Sequence, residues 1–369
     1  MSNYILTIGI PTWNRFPYLK ENLEAIFREV VKLPDIRIEI LISDNASTDE
    51  TQTYCESLAK QYSFVTYLRN KENLGANKNF QQVMQNAQGD YIWLMGDDDQ
   101  IVENSLEKIF ADINSYHQPE IVIGGCINDE TKKRLYPPFI QQPLLADKNI
   151  FAQYDGIRLA GKISVLIFKR TTFLPVLKIC EPIIEYLKTP WPHLSWLMVL
   201  LNRGAKILFL PYATNYFLER NRCNMLQDGI SRINITVREY AALIYYLNKS
   251  HLLTADFYTL LVRSITHNRQ EEFLKVMGYT TYFNGYTPSL KDALQNLIYL
   301  RDFYNRSNFF IFYVLPLFIP IFVRKGLFTS AEILCPHWSE YNRYLRYLRA
   351  TKVLFNNNNK RNIFDKSGL

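Results

Sequence analysis

The alternation of strand-like and helix-like segments over the first 125 residues limits the fold of this chain more than any other feature. Ile5–Ile10 is a short apolar, β-branched run ending at Pro11, and Tyr18–Val31 then places Leu19, Leu23, Ile26, Phe27 and Val30 at helical spacing. Ile38–Ile42 reads as a second strand, with Ser47 and Thr48 as candidate N-caps of a helix over Asp49–Tyr62. Val65–Leu68 is a third strand. Gly75 opens a helix through Ala87 that Gly89 closes, and Tyr91–Met95 forms a fourth strand. Ser105–Tyr116 is helical and Glu120–Ile123 strand-like again. Strands separated by helices predict an α/β protein with a parallel sheet covered on both faces.

Beyond residue 125 the pattern is mixed. Residues 161–170 (GKISVLIFKR) read as a strand, 195–204 (SWLMVLLNRG) as a helix ending at a glycine C-cap, and 205–211 as a further strand. After Ser231 the chain turns helical and rich in aromatics.

An open parallel sheet binds ligands in the crevice at the carboxyl ends of its strands. Polar groups collect at those ends here: Thr12, Asn14 and Arg15 after the first strand, Asp44 and Asn45 after the second. Asn73 and Gly75 follow the third, and Asp97, Asp98 and Asp99 follow the fourth. Three adjacent carboxylates repel one another, so a fold that gathers them at a strand end needs solvent or a cation in return. Mg²⁺ or Mn²⁺ favours hard carboxylate oxygens and leaves coordination places for phosphate. The triplet is therefore expected to hold a divalent metal against a diphosphate.

Four strand ends with ordered motifs also carry a family resemblance. IPTWNR (10–15), SDNASTDET (43–51), NLGANKNF (73–80) and GDYIWLMGDDD (89–99), in this order, resemble the family 2 glycosyltransferases, in particular their abequosyltransferase-like branch. The likeness is densest over about the first 115 residues and extends to about residue 225. It implies the GT-A fold, a nucleotide-diphospho-sugar donor and a divalent metal. It also implies that Pro11, Thr12, Asn14 and Arg15 line the nucleotide pocket, with Asn45 and Gly75 beside them, and that Lys78 lies near the donor. Asp44 would accept a hydrogen bond from the base, and an ionised carboxylate only accepts. Uracil and thymine offer an N3–H donor where cytosine offers a lone pair, so Asp44 favours a UDP- or dTDP-sugar over CDP. The alternative is that Asp44 caps a turn.

Two departures from the family pattern matter. Registering Ile101 and Leu106 puts Gly96 where the first Asp of the acidic motif usually stands. Asp98 then becomes the leading metal ligand, Asp99 its support, and Asp97 turns towards ribose or phosphate. Inverting members of the family usually carry a catalytic Asp eleven residues before a helix-ending Gly, and that count back from Gly204 lands on His193. A histidine with an ordinary pKa near ~6.5 is suited to take the acceptor proton. Asp155 and Glu185 are rival bases, and Arg220 and Arg222 are candidates for the phosphates.

Charge and composition bear on the rest. The formal net charge is +7, and from Arg324 onward nine Lys/Arg stand against three Asp/Glu. Residues 309–323 are fifteen unbroken apolar residues, too short to span a bilayer and interrupted by Pro316 and Pro320. Residues 338–355 put Tyr, Leu and Arg at helical spacing, which suits an interfacial helix on an anionic membrane. No nucleic-acid motif accompanies the basic tail. The five cysteines are widely spaced and fit packed, reduced thiols, and the first residues lack a signal-peptide pattern.

The resulting expectation is a GT-A domain over residues 1–225 and a helical region over 226–369, cytoplasmic and peripheral on the inner face of the cell membrane. The reaction expected is metal-dependent, inverting sugar transfer to a saccharide acceptor, lipid-linked, in the synthesis of a capsule or O-antigen. A nucleotidyltransferase would carry a glycine-rich phosphate loop near the N-terminus, and a dehydrogenase G-x-G-x-x-G after the first strand; neither is present. A non-catalytic sugar-nucleotide binder is the remaining rival, since His193 replaces an Asp.

Overall fold

The computed structural model describes residues 4–129, 132, 140–153, 156, 160–189, 191–217 and 240–264. β1 (Tyr4–Thr12), α1 (Phe16–Val30), β2 (Ile38–Asp44), α2 (Thr51–Gln61), β3 (Val65–Arg69), α3 (Ala76–Asn86) and β4 (Gly89–Leu94) alternate strictly. There follow β5 (Asp99–Ile101), α4 (Ser105–Ser115), β6 (Ile121–Asn128), β7 (Leu144–Ala146) and α5 (Lys148–Gln153). A 3-10 turn (Ile163–Val165) leads into β8 (Leu166–Lys169), α6 (Arg170–Leu187), α7 (Pro192–Asn202), β9 (Ile207–Phe217) and α8 (Tyr240–Lys249). Met1–Asn224 and Ala242–Ile265 form one compact unit.

The sheet runs in the order β3-β2-β1-β4-β8-β6-β9-β5, with β7 beside β9. β3, β2, β1 and β4 are parallel, as the alternation predicts, and β6 and β9 share their direction. β8, β5 and β7 run the other way. The result is mixed α/β with a mostly parallel central sheet. The chain steps outward from β1 to β2 and β3, then returns to the far side of β1 with β4. That reversal opens a crevice beyond the carboxyl ends of β1 and β4.

Both faces of the sheet are covered. Leu6, Ile8 and Ile10 of β1 pack with Leu19, Leu23 and Ile26 of α1, with Cys55 and Leu58 of α2, and with Leu106 and Ile109 of α4. Each such side chain contributes about 1.5–3 kcal/mol on full burial. α3 lies against the other face and contributes the buried Val83 and Met84. β1 runs on through Pro11, which has no N–H to donate. The Gly9 carbonyl accepts from Met95 on the β4 side and the Thr12 carbonyl from Asn45 on the β2 side. Backbone groups alternate, so the Pro11 nitrogen points beyond the last β1–β4 pair, Gly9 with Leu94, and its missing N–H breaks none of the β1–β4 pairs.

Two local expectations are corrected, and one helix appears where the sequence reading assigned no element. Ser47 and Thr48 do not cap α2, whose N-cap is Glu50 without a side-chain bond. Ser47 Oγ instead accepts the Asn14 N–H (2.9 Å), and the Thr48 N–H donates to Asn14 Oδ1 (2.7 Å), so both residues tie the loop after β2 to the loop after β1. Gly89 does not close α3 but opens β4, and a Cβ there would run into the backbone of Leu6 and Thr7. α6 is a full helix, although Pro175 and Pro182 lie inside it. Its buried residues Phe173, Val176, Leu177, Cys180, Ile183 and Ile184 follow helical spacing, a pattern the two prolines obscure. The glycine end of α7 is as expected. Gly204 (φ +93°) lets the Ala205 N–H reach Leu200 O and the Gly204 N–H reach Leu201 O.

Candidate active site

At the crevice the end of β1 is stitched to the turn after β4. The Thr12 hydroxyl donates to Asp97 Oδ2 (2.8 Å), and Arg15 spans two carboxylates, Asp97 Oδ1 (3.0 Å) and Asp98 Oδ2 (2.5 Å). The turn closes on itself through the Asp99 N–H to Gly96 O (3.3 Å). Asp97 and Asp99 are buried, whereas the Asp98 side chain keeps 29% of its surface exposed. Burial pushes the Asp97 carboxyl up to about 7 in spite of Arg15 and Thr12. Burial also lifts Asp99 to about 6, with Asp98 adding to the rise and Ser164 and Lys162 opposing it. The fold thus answers the repulsion of three aspartates with one guanidinium, one ammonium, two hydroxyls and a partial reluctance to ionise.

A second polar network shapes the ends of β2 and β3. Asp44 is fully buried: its Oδ1 accepts the Ser47 N–H (2.8 Å), and its Oδ2 accepts the Tyr67 hydroxyl (2.7 Å) with Arg69 Nε at 3.6 Å. Burial, reinforced by Asp44, holds the Tyr67 phenol far above its usual range, so it stays a donor. Asn45 Oδ1 accepts from Leu74 N–H (2.9 Å) and Asn70 (3.0 Å), and its amide donates to Asn73 Oδ1 (2.6 Å). Asn73 Oδ1 also accepts the Gly75 N–H (2.8 Å), which sets the approach to α3. Asn79 of α3 is the buried anchor. It donates to Ser43 O (2.9 Å) and accepts from Ser43 Oγ (2.7 Å) and Asn70 (3.2 Å).

Thr12, Arg15, Asp97, Asp98 and Asp99 therefore form one cluster, with Pro11 immediately before it, while Asn14, Asp44, Asn45 and Gly75 belong to the loops beside it. Lys78 is exposed and pairs with Glu185 of α6 at 3.5 Å, so that cation and one rival base face each other on the surface. His193 lies in the first turn of α7, 1% exposed, its ring edge-on to Trp191 at 6.0 Å. Neither ring nitrogen makes a hydrogen bond among the described residues. Burial pushes its pKa down to about 3, against a weaker upward pull from the neighbouring backbone of Ala160 and Gly161. The same short segment continues to Lys162 and Ser164 beside Asp99, so residues 160–164 run between His193 and the acidic turn. Asp155, Arg220 and Arg222, and the segments 309–323 and 338–355, lie outside the described residues.

Several contributors are not singled out by the sequence reading, although Asn79 lies within NLGANKNF: Asn22, Asn79, Ser164, Lys162, Tyr67 and Arg69. A signal exists for two of them. Asn22 and Asn79 fall on the apolar stripes of α1 and α3, where an amide has to be hydrogen-bonded to be tolerated. The others come from distant strands and turns.

Residues 7–170 match the family model described as "Glycosyl transferase family 2". They are a family 2 glycosyltransferase domain. This domain is 38% identical over 128 residues to "Abequosyltransferase RfbV" of Salmonella typhimurium, a stretch covering 34% of this chain and 37% of that protein. It is 26% identical over 123 residues to "GalNAc(5)-diNAcBac-PP-undecaprenol beta-1,3-glucosyltransferase" of Campylobacter jejuni, covering 33% of this chain and 38% of that one. The matches thus span well under half of either relative. The crystal structure of S. aureus TarS 1-349 superposes with a TM-score of 0.53 over 81% of this chain and 80% of that one, at 16% identity. That likeness is one of fold, and the fold of the family 2 domain is GT-A.

Among the described residues no three His, Cys, Asp or Glu side chains are grouped to hold a metal ion unaided. The donor chemistry of the acidic turn nevertheless fits Mg²⁺ or Mn²⁺. Such ions take one or two carboxylates and complete their shell with water and phosphate. The exposed Asp98 oxygens, with Asp99 behind them, supply that number. Among the described residues no helix is long and apolar enough to cross a membrane.

Proposed function

We propose that the chain is a metal-dependent, inverting glycosyltransferase that moves a sugar from a UDP- or dTDP-sugar to a lipid-linked saccharide in bacterial surface polysaccharide synthesis. The observation that carries this reading is the acidic turn clamped to the end of β1 inside a family 2 domain. The Salmonella relative, an abequosyltransferase, supports sugar transfer, and the Campylobacter relative, a glucosyltransferase named for an undecaprenol-linked substrate, supports the acceptor class. The basic, aromatic segment 338–355 supports a place on an anionic membrane surface, with residues 226–369 serving membrane or acceptor.

In this reading Asp98 and Asp99 hold Mg²⁺ or Mn²⁺, which when bound would stabilise charge building on the leaving diphosphate. Arg15 faces the same phosphates, joined by Arg220 or Arg222, and Lys78 lies towards the donor. Asp44 would accept the N3–H of uracil or thymine, which requires the base to reach a carboxylate that in the structure caps the turn at Ser47 and receives the Tyr67 hydroxyl. The acceptor hydroxyl attacks the anomeric carbon opposite the diphosphate, and His193 takes its proton. Burial keeps His193 neutral, the form that accepts a proton. The role requires acceptor binding to open a path to the ring.

A second reading has one observation in its favour: a buried imidazole with so low a pKa is a weak base. The chain would then bind a sugar nucleotide without turning it over. Release of UDP from a UDP-sugar without acceptor separates the two, because a pure binder releases none. The main test is thermal melting with a panel of nucleotide-sugars, with Mn²⁺ or with chelator. A UDP- or dTDP-sugar with Mn²⁺ is expected to raise the melting temperature by several degrees, and CDP-sugars are not. An equal rise in chelator would refute the metal site.

A further inference from the structure

Ser164 is fully buried in the 3-10 turn Ile163–Val165, 68 positions along the chain from Gly96. Its Oγ accepts the Gly96 N–H (2.9 Å) and lies beside the Asp99 carboxylate, whose charged form it favours, and its carbonyl accepts the Trp93 indole N–H (2.8 Å). From α1 the equally buried Asn22 donates its amide to Gly96 O (2.8 Å). Both polar groups of one peptide residue are thus held by side chains from two separate elements, neither of them a strand-end loop. With its oxygen receiving the Gly96 N–H, the hydroxyl keeps its one proton to turn towards the neighbouring Asp99 carboxylate. A solvated turn would need none of this. The contacts bear on the residues either side of Asp98, whose carboxylate stays accessible.

We propose that Ser164, backed by Asn22, is a positioning residue that holds the turn 96–99 in the geometry in which Asp98 and Asp99 meet a divalent cation and a diphosphate. This rests on reading the turn as that site. The Ser164 hydroxyl orients Asp99 so that Asp98 presents its oxygens to the crevice.

The test is calorimetric titration of the full chain with UDP, in Mn²⁺ and in chelator, for the wild type, Ser164→Ala, Ser164→Cys and the control Ser195→Ala. Ser195 is a buried serine on α7 whose hydroxyl has no hydrogen-bond partner among the described residues. In the wild type Mn²⁺ is expected to tighten UDP binding. In Ser164→Ala that Mn²⁺-dependent gain falls by about tenfold, as for loss of a charge-assisted hydrogen bond, while binding in chelator stays within about twofold. Ser164→Cys, close to serine in size with a weaker donor, falls between, and it decides the matter if the alanine variant fails to fold. Ser195→Ala leaves both affinities unchanged. An undiminished Mn²⁺-dependent gain in Ser164→Ala overturns the positioning role and leaves the site standing. Equal weakening with and without Mn²⁺ reduces Ser164 to a structural part and also overturns it. A wild type indifferent to Mn²⁺ sinks both the role and the site.

Discussion

Buried polar side chains at two places in this protein meet different fates. At the strand-end crevice Thr12, Asp97, Asp44, Asn45 and Asn79 each have defined partners. At the start of α7 the two His193 ring nitrogens, the Ser195 hydroxyl and the Trp196 indole N–H have no hydrogen-bond partner among the described residues. Paired groups hold one geometry and keep charge inside the protein. At His193 burial dominates the ionisation, against only a weaker pull from the Ala160 and Gly161 backbone. That is why Asp97 can sit beside Arg15 while His193 stays neutral.

The comparison can be broken or sharpened by experiment. The largest effect is expected at the crevice: Asp98→Ala should lower sugar transfer by about 10³-fold. Because Asp98 is partly exposed, its melting temperature should stay near wild type. A variant that transfers normally would place the metal elsewhere. His193→Ala is expected to lower transfer by about 10²-fold while UDP-sugar binding is kept. Near-normal turnover would leave α7 as packing. On stability, Asn79→Ala removes the anchor of a paired network and should cost about 2–3 kcal/mol in urea unfolding.

pH gives the next smaller effect. His193 takes a proton near ~6.5 when unfolded but only near about 3 when folded. Between those values the unfolded state holds the extra proton, so His193 by itself contributes stability that rises with pH by about 1.4 kcal/mol per unit, while the raised Asp97 and Asp99 carboxyls contribute in the opposite sense. His193→Leu should remove its own contribution from the measured slope, and an unchanged slope would mean the ring is not buried. The smallest effect is Ser195→Ala, which deletes an unpartnered hydroxyl and should leave stability unchanged or raise it by up to about 1 kcal/mol. A loss above that would reveal a partner for Ser195.

Most of the parallel half of the sheet was legible because its signal is local. Apolar alternation and helical spacing read the same in the chain and in the fold, and β1 to β4 with α1 to α4 differ from expectation by a few residues at their ends. Ser47 and Thr48 misled because their preference for helix caps is real but weaker than the bonds Asn14 offers across the crevice. α6 was hidden by Pro175 and Pro182, whose penalties in a helix are outweighed by its buried apolar stripe. The antiparallel β8 carries no sign of its direction in the residues themselves.

By its order of elements and motifs the sequence determined the α/β class, the crevice at the strand ends and the gathering of Asp97, Asp98 and Asp99 within it. It could do so because strand period, helix period and strand-end polarity depend on neighbours along the chain. Only the tertiary structure decided that Arg15 bridges two of those aspartates, that Ser164 and Asn22 hold the turn between them, and that His193 is closed off from water. Those outcomes depend on groups tens of residues apart meeting in a low-dielectric interior, where pairing or its lack sets both position and protonation.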